Sequence, residues 1–185
     1  MPIITVMVQV SEFLPGKTRL LIVDDDSDLR LTLCEYMEAR RFEVTSAKSG
    51  TEAIRLFETG RRFDIVFTDL IMPPGPDGLE VLKVARARNP LCYVVVMTGF
   101  SSIETAIESI RFGAFDYLTK PFKLAEIEIV ANRIVEHLCL LEDNRNLTQK
   151  VAAINDKFVS IDSRLERIES MVGRLSTILV EAPKH

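Results

Sequence analysis

This sequence lacks long apolar runs, disulfide-like cysteine spacing and any surplus of basic charge. No apolar stretch in its 185 residues reaches the roughly 20 needed to cross a bilayer, so no membrane span is expected. Its three cysteines, Cys34, Cys92 and Cys139, lie in apolar contexts at unrelated spacings. They read as reduced, buried thiols of a cytoplasmic protein and not as a disulfide frame. The net charge is −4 with no basic stripe, so direct nucleic-acid binding has no support. Residues 1–17 carry an apolar piece, Ile3 to Val8, without the basic region or small-residue cleavage site of a signal peptide. They read as a loose tail or a short edge strand, and Met7 is a second candidate start. What is present is an ordinary globular composition, 47% apolar and 27% charged, at a length that fits one domain plus an extension.

From Arg19 the pattern alternates. Leu20–Val23, Phe42–Thr45, Ile65–Phe67, Val94–Met97 and Phe115–Leu118 read as strands. Between them lie helical spacings. Leu29, Leu33, Tyr36 and Met37 follow a cap at Asp26 or Ser27, and a second helix runs from Gly50 to Phe57. A third carries Leu79, Val81, Leu82 and Val84 and ends at Asn89-Pro90. A fourth, with Ile103, Ala106, Ile107 and Ile110, is closed by Gly113, and a fifth helix opens at Lys123. Most strands are unbroken apolar runs, as strands buried on both faces should be. The fold class is therefore α/β, a doubly wound five-stranded parallel sheet.

Four polar pieces end these runs: Asp24-Asp25, Asp69, Thr98 and Lys120. Taken singly, each has an ordinary reading as a helix cap, turn residue or solvated side chain. Taken together, parallel strands bring them to one sheet edge, where open α/β sheets bind ligands. Three carboxylates there repel one another unless a cation joins them. A hard-oxygen set without cysteine or histidine favours Mg²⁺. Asp69 is placed to attack a phosphorus atom in line, with Lys120 and Thr98 on the phosphoryl oxygens.

Leu21-Ile22-Val23-Asp24-Asp25-Asp26, Asp69-Leu70-Ile71-Met72-Pro73 with Asp77-Gly78, Met97-Thr98-Gly99 and Lys120-Pro121-Phe122 resemble the receiver domain of two-component response regulators, over about Thr18 to Ala131. The resemblance implies a flavodoxin-like fold that is not an enzyme beyond its own phosphoryl transfer and slow dephosphorylation. It implies Asp69 as phosphoacceptor, and Mg²⁺ held by Asp25, Asp69 and the backbone carbonyl of Ile71, with Asp24 acting through water. Thr98 and Tyr117 match the family's switch pair, and the partner would be a histidine kinase or phosphotransfer protein. One departure is Pro74-Gly75-Pro76, three residues where the family usually has two, which bears on the shape of that loop. Ile71 and Phe100 flank the positions where the family varies its dephosphorylation rate. Apolar side chains there give little help to an attacking water.

The last part of the chain has neither a helix-turn-helix pattern nor a nucleotide-binding glycine loop. His137 lacks the surroundings of a kinase phospho-histidine and reads as a helix-surface or seam residue, while His185 is terminal. Leu147, Val151, Ile154, Phe158, Ile161, Leu165, Ile168, Val172, Leu175 and Leu179 step by four and three, a heptad seam about 50 Å long. With Val151 and Phe158 at a, Lys157 and Arg164 fall at g, and Asp162 and Glu169 at e. That charge pattern favours parallel self-association. Isoleucine at d admits three or four strands, so strand number is open. Leu138 and Leu141 do not continue the register, which suggests a phase break. The expected division is a tail 1–17, a receiver 18–138, a hinge or phase break 139–146, a parallel coiled-coil helix 147–180 and a tail 181–185. The expected output is protein association with an unidentified downstream partner. Alternatives are a constitutive coiled-coil scaffold, a phosphoryl sink, or a fragment of a transcriptional regulator.

Overall fold

The computed structural model describes residues 18–99 and 103–180, the side chains of 103–105, 165–166, 169–170 and 172–180 excepted. The tail expected over 1–17, Phe100 and the tail 181–185 lie outside the described residues. Ten elements alternate: β1 (Arg19–Val23), α1 (Ser27–Glu38), β2 (Glu43–Ala47), α2 (Gly50–Glu58), β3 (Ile65–Asp69), α3 (Gly78–Arg88), β4 (Tyr93–Thr98), α4 (Ile103–Arg111), β5 (Asp116–Thr119) and α5 (Leu124–Val180). The five strands form one sheet in the order β2-β1-β3-β4-β5, all neighbours parallel. This is the doubly wound α/β fold that the alternation predicts.

The sheet is covered on both faces, and the alternation of side chains along each strand divides the core in two. Leu21, Val23, Val66, Val94 and Val96 point into one cluster with Ala53 and Phe57 of α2 and Val81, Leu82 and Ala85 of α3. Leu20, Ile22, Ile65, Phe67, Val95 and Met97 point into the other, with Leu33 and Met37 of α1 and Ile127, Val130, Ala131 and Ile134 of α5. This explains why β1, β3 and β4 read as continuous apolar runs.

Local signals place the helix starts. Asp26 is the N-cap of α1, its carboxylate accepting from the backbone N–H groups of Asp28 and Leu29. Ser49 caps α2 and Asp77 caps α3 in the same way, each satisfying a donor the helix leaves open. Edge strand β2 starts one residue later than Phe42. The Phe42 N–H bonds back to the Met37 carbonyl, and Arg41 takes φ 68° in the turn. The ladder can therefore begin only at Glu43.

Two compact units divide the chain after Cys139. The first holds the sheet and its helices. The second, from Leu140, is helical through Val180 as part of α5, without a break in backbone helix across 139–146. In the second unit the seam residues Leu147, Val151, Ile154, Phe158, Ile161 and Ile168 are each 54–67% exposed. The side chains of Leu165, Val172, Leu175 and Leu179 lie outside the described ones.

Candidate functional site

Parallel register explains how residues far apart in sequence meet. Val23 of β1 pairs with Thr68 of β3, Asp69 with Met97 of β4, and Thr98 with Thr119 of β5. Asp24, Asp69, Thr98 and Lys120 therefore stand at the same carboxyl edge of the sheet. Backbone bonds fasten that edge across strands: Leu70 N–H to the Met97 carbonyl at 2.8 Å and Lys120 N–H to the Thr98 carbonyl at 2.7 Å. Gly78 has a role here as well. A Cβ at that position would collide with the Asp69 carbonyl, so the start of α3 can approach the end of β3 only without a side chain.

The Lys120 ammonium is the centre of the cluster. Its Nζ donates to Asp24 Oδ2 and to Asp69 Oδ2, each at 2.7 Å. Asp24 is fully buried and Asp69 nearly so, while Asp25 is exposed. Carboxylate oxygens of the three aspartates lie within 4.8 Å of one another. Asp24 also accepts from the Asp26 N–H at 3.0 Å, and Asp69 Oδ1 from the Ile71 N–H at 3.3 Å. Burial pushes the Asp24 carboxyl above the usual range, more than its bonds to Lys120 pull it down. For Lys120, burial works against the charge, but its hydrogen bonds to Asp24 and Asp69 win and raise it. The two directions share one cause and one partner: burial disfavours charge on both groups, and their hydrogen bond opposes it, enough to keep the lysine charged but not to hold the Asp24 carboxyl at its usual value.

Thr98 is buried at the end of β4, and Tyr117 is half-buried on β5 against the α2–α3 side of the core. Ile71 is 48% exposed in the loop after β3. One contact had no sequence signal: Arg30, a full turn into α1, donates from its guanidinium to the Asp24 carbonyl at 2.6 Å and helps fix the β1–α1 loop. The Pro74-Gly75-Pro76 loop leans on α2. A Cβ on Gly50 would meet the Pro76 carbonyl, and Gly75 takes φ 124°. The β3–α3 loop thus approaches the start of α2 closely at Pro76 and Gly50.

The family of response regulator receiver domains matches residues 20–132. This chain belongs to that family. It is 35% identical over 134 residues to the regulatory protein AtoC of Escherichia coli, covering 72% of this chain and 29% of AtoC. It is 33% identical over 158 residues to the DNA-binding transcriptional regulator NtrC of Klebsiella pneumoniae, covering 84% of this chain and 32% of NtrC. A response regulator receiver domain from Clostridium thermocellum superposes with a TM-score of 0.62 at 30% identity, covering 67% of this chain and 98% of that one. The chain thus spans less than a third of the length of either curated relative. Receiver domains are phosphoacceptors that bind Mg²⁺ at an acidic pocket, and the aspartate cluster of this chain supplies such a pocket. The donor set fits that ion: three carboxylates, two of them buried, and neither imidazole nor thiolate among them. Response regulators interact with histidine kinases. Among the described residues, no helix is long and apolar enough to cross a membrane.

Proposed function

We propose that this chain is the phosphorylatable signal receiver of a two-component pathway and that Asp69 accepts the phosphoryl group. The convergence of Asp24, Asp25, Asp69 and Lys120 on one point carries this reading. An Asp69 oxygen attacks the phosphorus of a histidine kinase's or phosphotransfer protein's phospho-histidine. The P–N bond breaks as the P–O bond forms, and the imidazole leaves with the electron pair and takes a proton from solvent. Asp25, Asp69 and the Ile71 carbonyl would hold Mg²⁺, with Asp24 through a water. The ion would supply positive charge that offsets the negative charge of the carboxylates and the incoming oxygens. Lys120 follows the charge from the Asp69 oxygen to a phosphoryl oxygen, and the Thr98 hydroxyl donates to another. Movement of Thr98 toward the group lets the Tyr117 ring swing inward and changes the surface around β5. As in the receiver family, transfer is to the protein itself and the chain turns over no substrate.

The expected output is protein association in the cytoplasm, with residues 18–138 as receiver and 147–180 as a parallel self-associating coil joined through 139–146. A second reading has one observation in its favour. Because the chain spans less than a third of AtoC or NtrC, it also fits the receiver and linker of a longer transcriptional regulator.

Intact mass of the full chain after incubation with acetyl phosphate and Mg²⁺ tests the phosphoacceptor. Wild type should gain one phosphoryl group, and Asp69→Asn none. A label that persists in Asp69→Asn, or a wild type that takes none, overturns it. Ile71 gives a hydrolytic water nothing to bond to, so the label should outlast minutes; loss within seconds contradicts that.

A further inference from the structure

The exposed series of the second unit begins before Leu147. Stepping back by three and four residues reaches Asn144 and Leu140. Leu140 is 61% exposed, like the seam residues after it, and Asn144 is exposed as well. In the register with Val151 and Phe158 at a and Leu147, Ile154 and Ile161 at d, Leu140 takes d and Asn144 takes a. Leu138 packs against the receiver core instead. The change of phase then falls between Leu138 and Leu140. From Leu140 to Ile168, Asn144 is the one polar residue at any a or d position.

We propose that Asn144 fixes this chain as a parallel, in-register, two-stranded coil with a second copy of itself. The proposal rests on the reading of the seam as self-associating and adds strand number and register to it. A second copy is the occupant because the flanking charges are self-complementary. Lys157 at g meets the partner's Asp162 at e in a parallel pair, whereas antiparallel strands set g against g and lysine against lysine. Only the in-register parallel pair brings the two Asn144 side chains together, where amide hydrogen can meet amide oxygen. A slip of one heptad would set Asn144 opposite Val151, and antiparallel pairing would set it opposite an apolar residue. Either leaves a buried amide without a partner, an outcome that is costly in a dry seam. A single polar residue at a is known to specify register and oligomer number at a cost in stability.

The residues around it point the same way. Leu140 and Leu147 at d with Val151 at a form the pattern that favours two strands, while isoleucine at d in Ile154, Ile161 and Ile168 leans to three or four. The seam thus holds two opposed preferences, and Asn144 decides between them at the receiver-proximal end. In the single chain the Asn144 amide donates to the Leu140 carbonyl at 2.9 Å, one turn back. Pairing asks only that this exposed side chain turn toward its copy.

The test compares sedimentation-equilibrium masses of the full wild-type chain and Asn144→Leu, with disulfide trapping from Leu147→Cys on a Cys139→Ser background. Wild type should show twice the chain mass and should trap as a symmetric disulfide at 147. Asn144→Leu should melt higher and shift to three or four times the chain mass. A wild-type trimer or tetramer overturns the proposal, as does an Asn144→Leu variant with unchanged mass and trapping. Absence of the 147 disulfide in an associated wild type overturns the register. A monomeric wild type overturns the self-association reading beneath it.

Discussion

The two units spend similar apolar side chains in opposite environments. In the receiver, Val94, Val95, Val96 and Met97 are wholly buried, as are Leu20 and Leu21 and their neighbours. In the second unit, six seam residues remain more than half exposed. The difference lies in geometry. A strand in a covered sheet meets apolar side chains above and below within its own chain. A lone helix has one narrow stripe and nothing in its own unit to bury it against. In proteins, most helical stability comes from packing such a stripe and not from propensity. The receiver buries its apolar residues within one copy, whereas the proposed coil would draw its stability from a second copy.

The largest test of that contrast is a pair of truncations. Phe67 sits on β3 with no exposure, and Phe67→Ala should destabilise the receiver by about 3–5 kcal/mol, read from urea unfolding at fixed protein concentration. Ile161→Ala, at a residue 59% exposed, should leave that transition unmoved. It should instead lower the helicity of the second unit and make it more concentration-dependent. If Ile161→Ala destabilises the receiver transition as Phe67→Ala does, the two units are not independent.

The same contrast explains what was legible in the sequence. β1, β3 and β4 were readable because burial on both faces removes polar residues from them. The strand ends were readable because Asp24, Asp69, Thr98 and Lys120 interrupt those runs at one edge. Edge strand β2 was misplaced by one residue at its start and two at its end: the apolar Phe42 packs against the core, but its N–H is committed to the Met37 carbonyl of α1. Contacts made by individual side chains left no pattern. Arg30 on the Asp24 backbone carbonyl is one, and the two hydrogen bonds of Lys120, to Asp24 and to Asp69, are another. Its place at the end of a strand-like run put the lysine at the edge but not between two carboxylates. The heptad was legible as periodicity, and its exposure in the single chain agrees with a seam that needs a partner.

A smaller effect sharpens the receiver side of the comparison, where burial is not always favourable. Asp24 is fully buried, and its carboxyl is raised by that burial. For an acid whose folded value lies above its unfolded one, the folded state binds the proton more tightly. Stability therefore falls as pH rises from about 3.8, the ordinary value, through the raised one, and stays lower at neutral pH. Asp24→Asn removes that cost, so in chelator at neutral pH its melting temperature should exceed that of wild type. Mg²⁺ bound as proposed would offset the same cost in wild type, so adding it should narrow the gap. A variant less stable than wild type in chelator would show that the bond to Lys120 outweighs burial.

The smallest effect lies where α1 meets the start of α5, again within the receiver. The Tyr36 hydroxyl donates to Glu128 Oε2 at 2.7 Å, and the Arg40 guanidinium lies 3.4 Å above the Tyr36 ring. Arg40 Nε is 2.6 Å from the same carboxylate oxygen but makes no hydrogen bond, so this contact is an ion pair by distance alone. Glu128 is held below its ordinary value, first by the Tyr36 hydroxyl and then, against some burial, by Arg40. An acid lowered on folding contributes stability that is complete above its unfolded value of 4.5. That stability is lost as pH falls through the lowered value. For a carboxylate 31% exposed the contribution, discounted for solvent screening, is about 1 kcal/mol. Glu128→Gln should therefore be slightly less stable at pH 7 and show a shallower loss below 4.5 than wild type, followed by urea midpoints across that range. Parallel acid limbs in the two proteins would mean that Glu128 is not held by Tyr36 in solution. Because α5 continues into the second unit, the same variant measured by sedimentation should keep its association unchanged. A lowered mass would show that the α1–α5 contact supports the coil as well as the receiver.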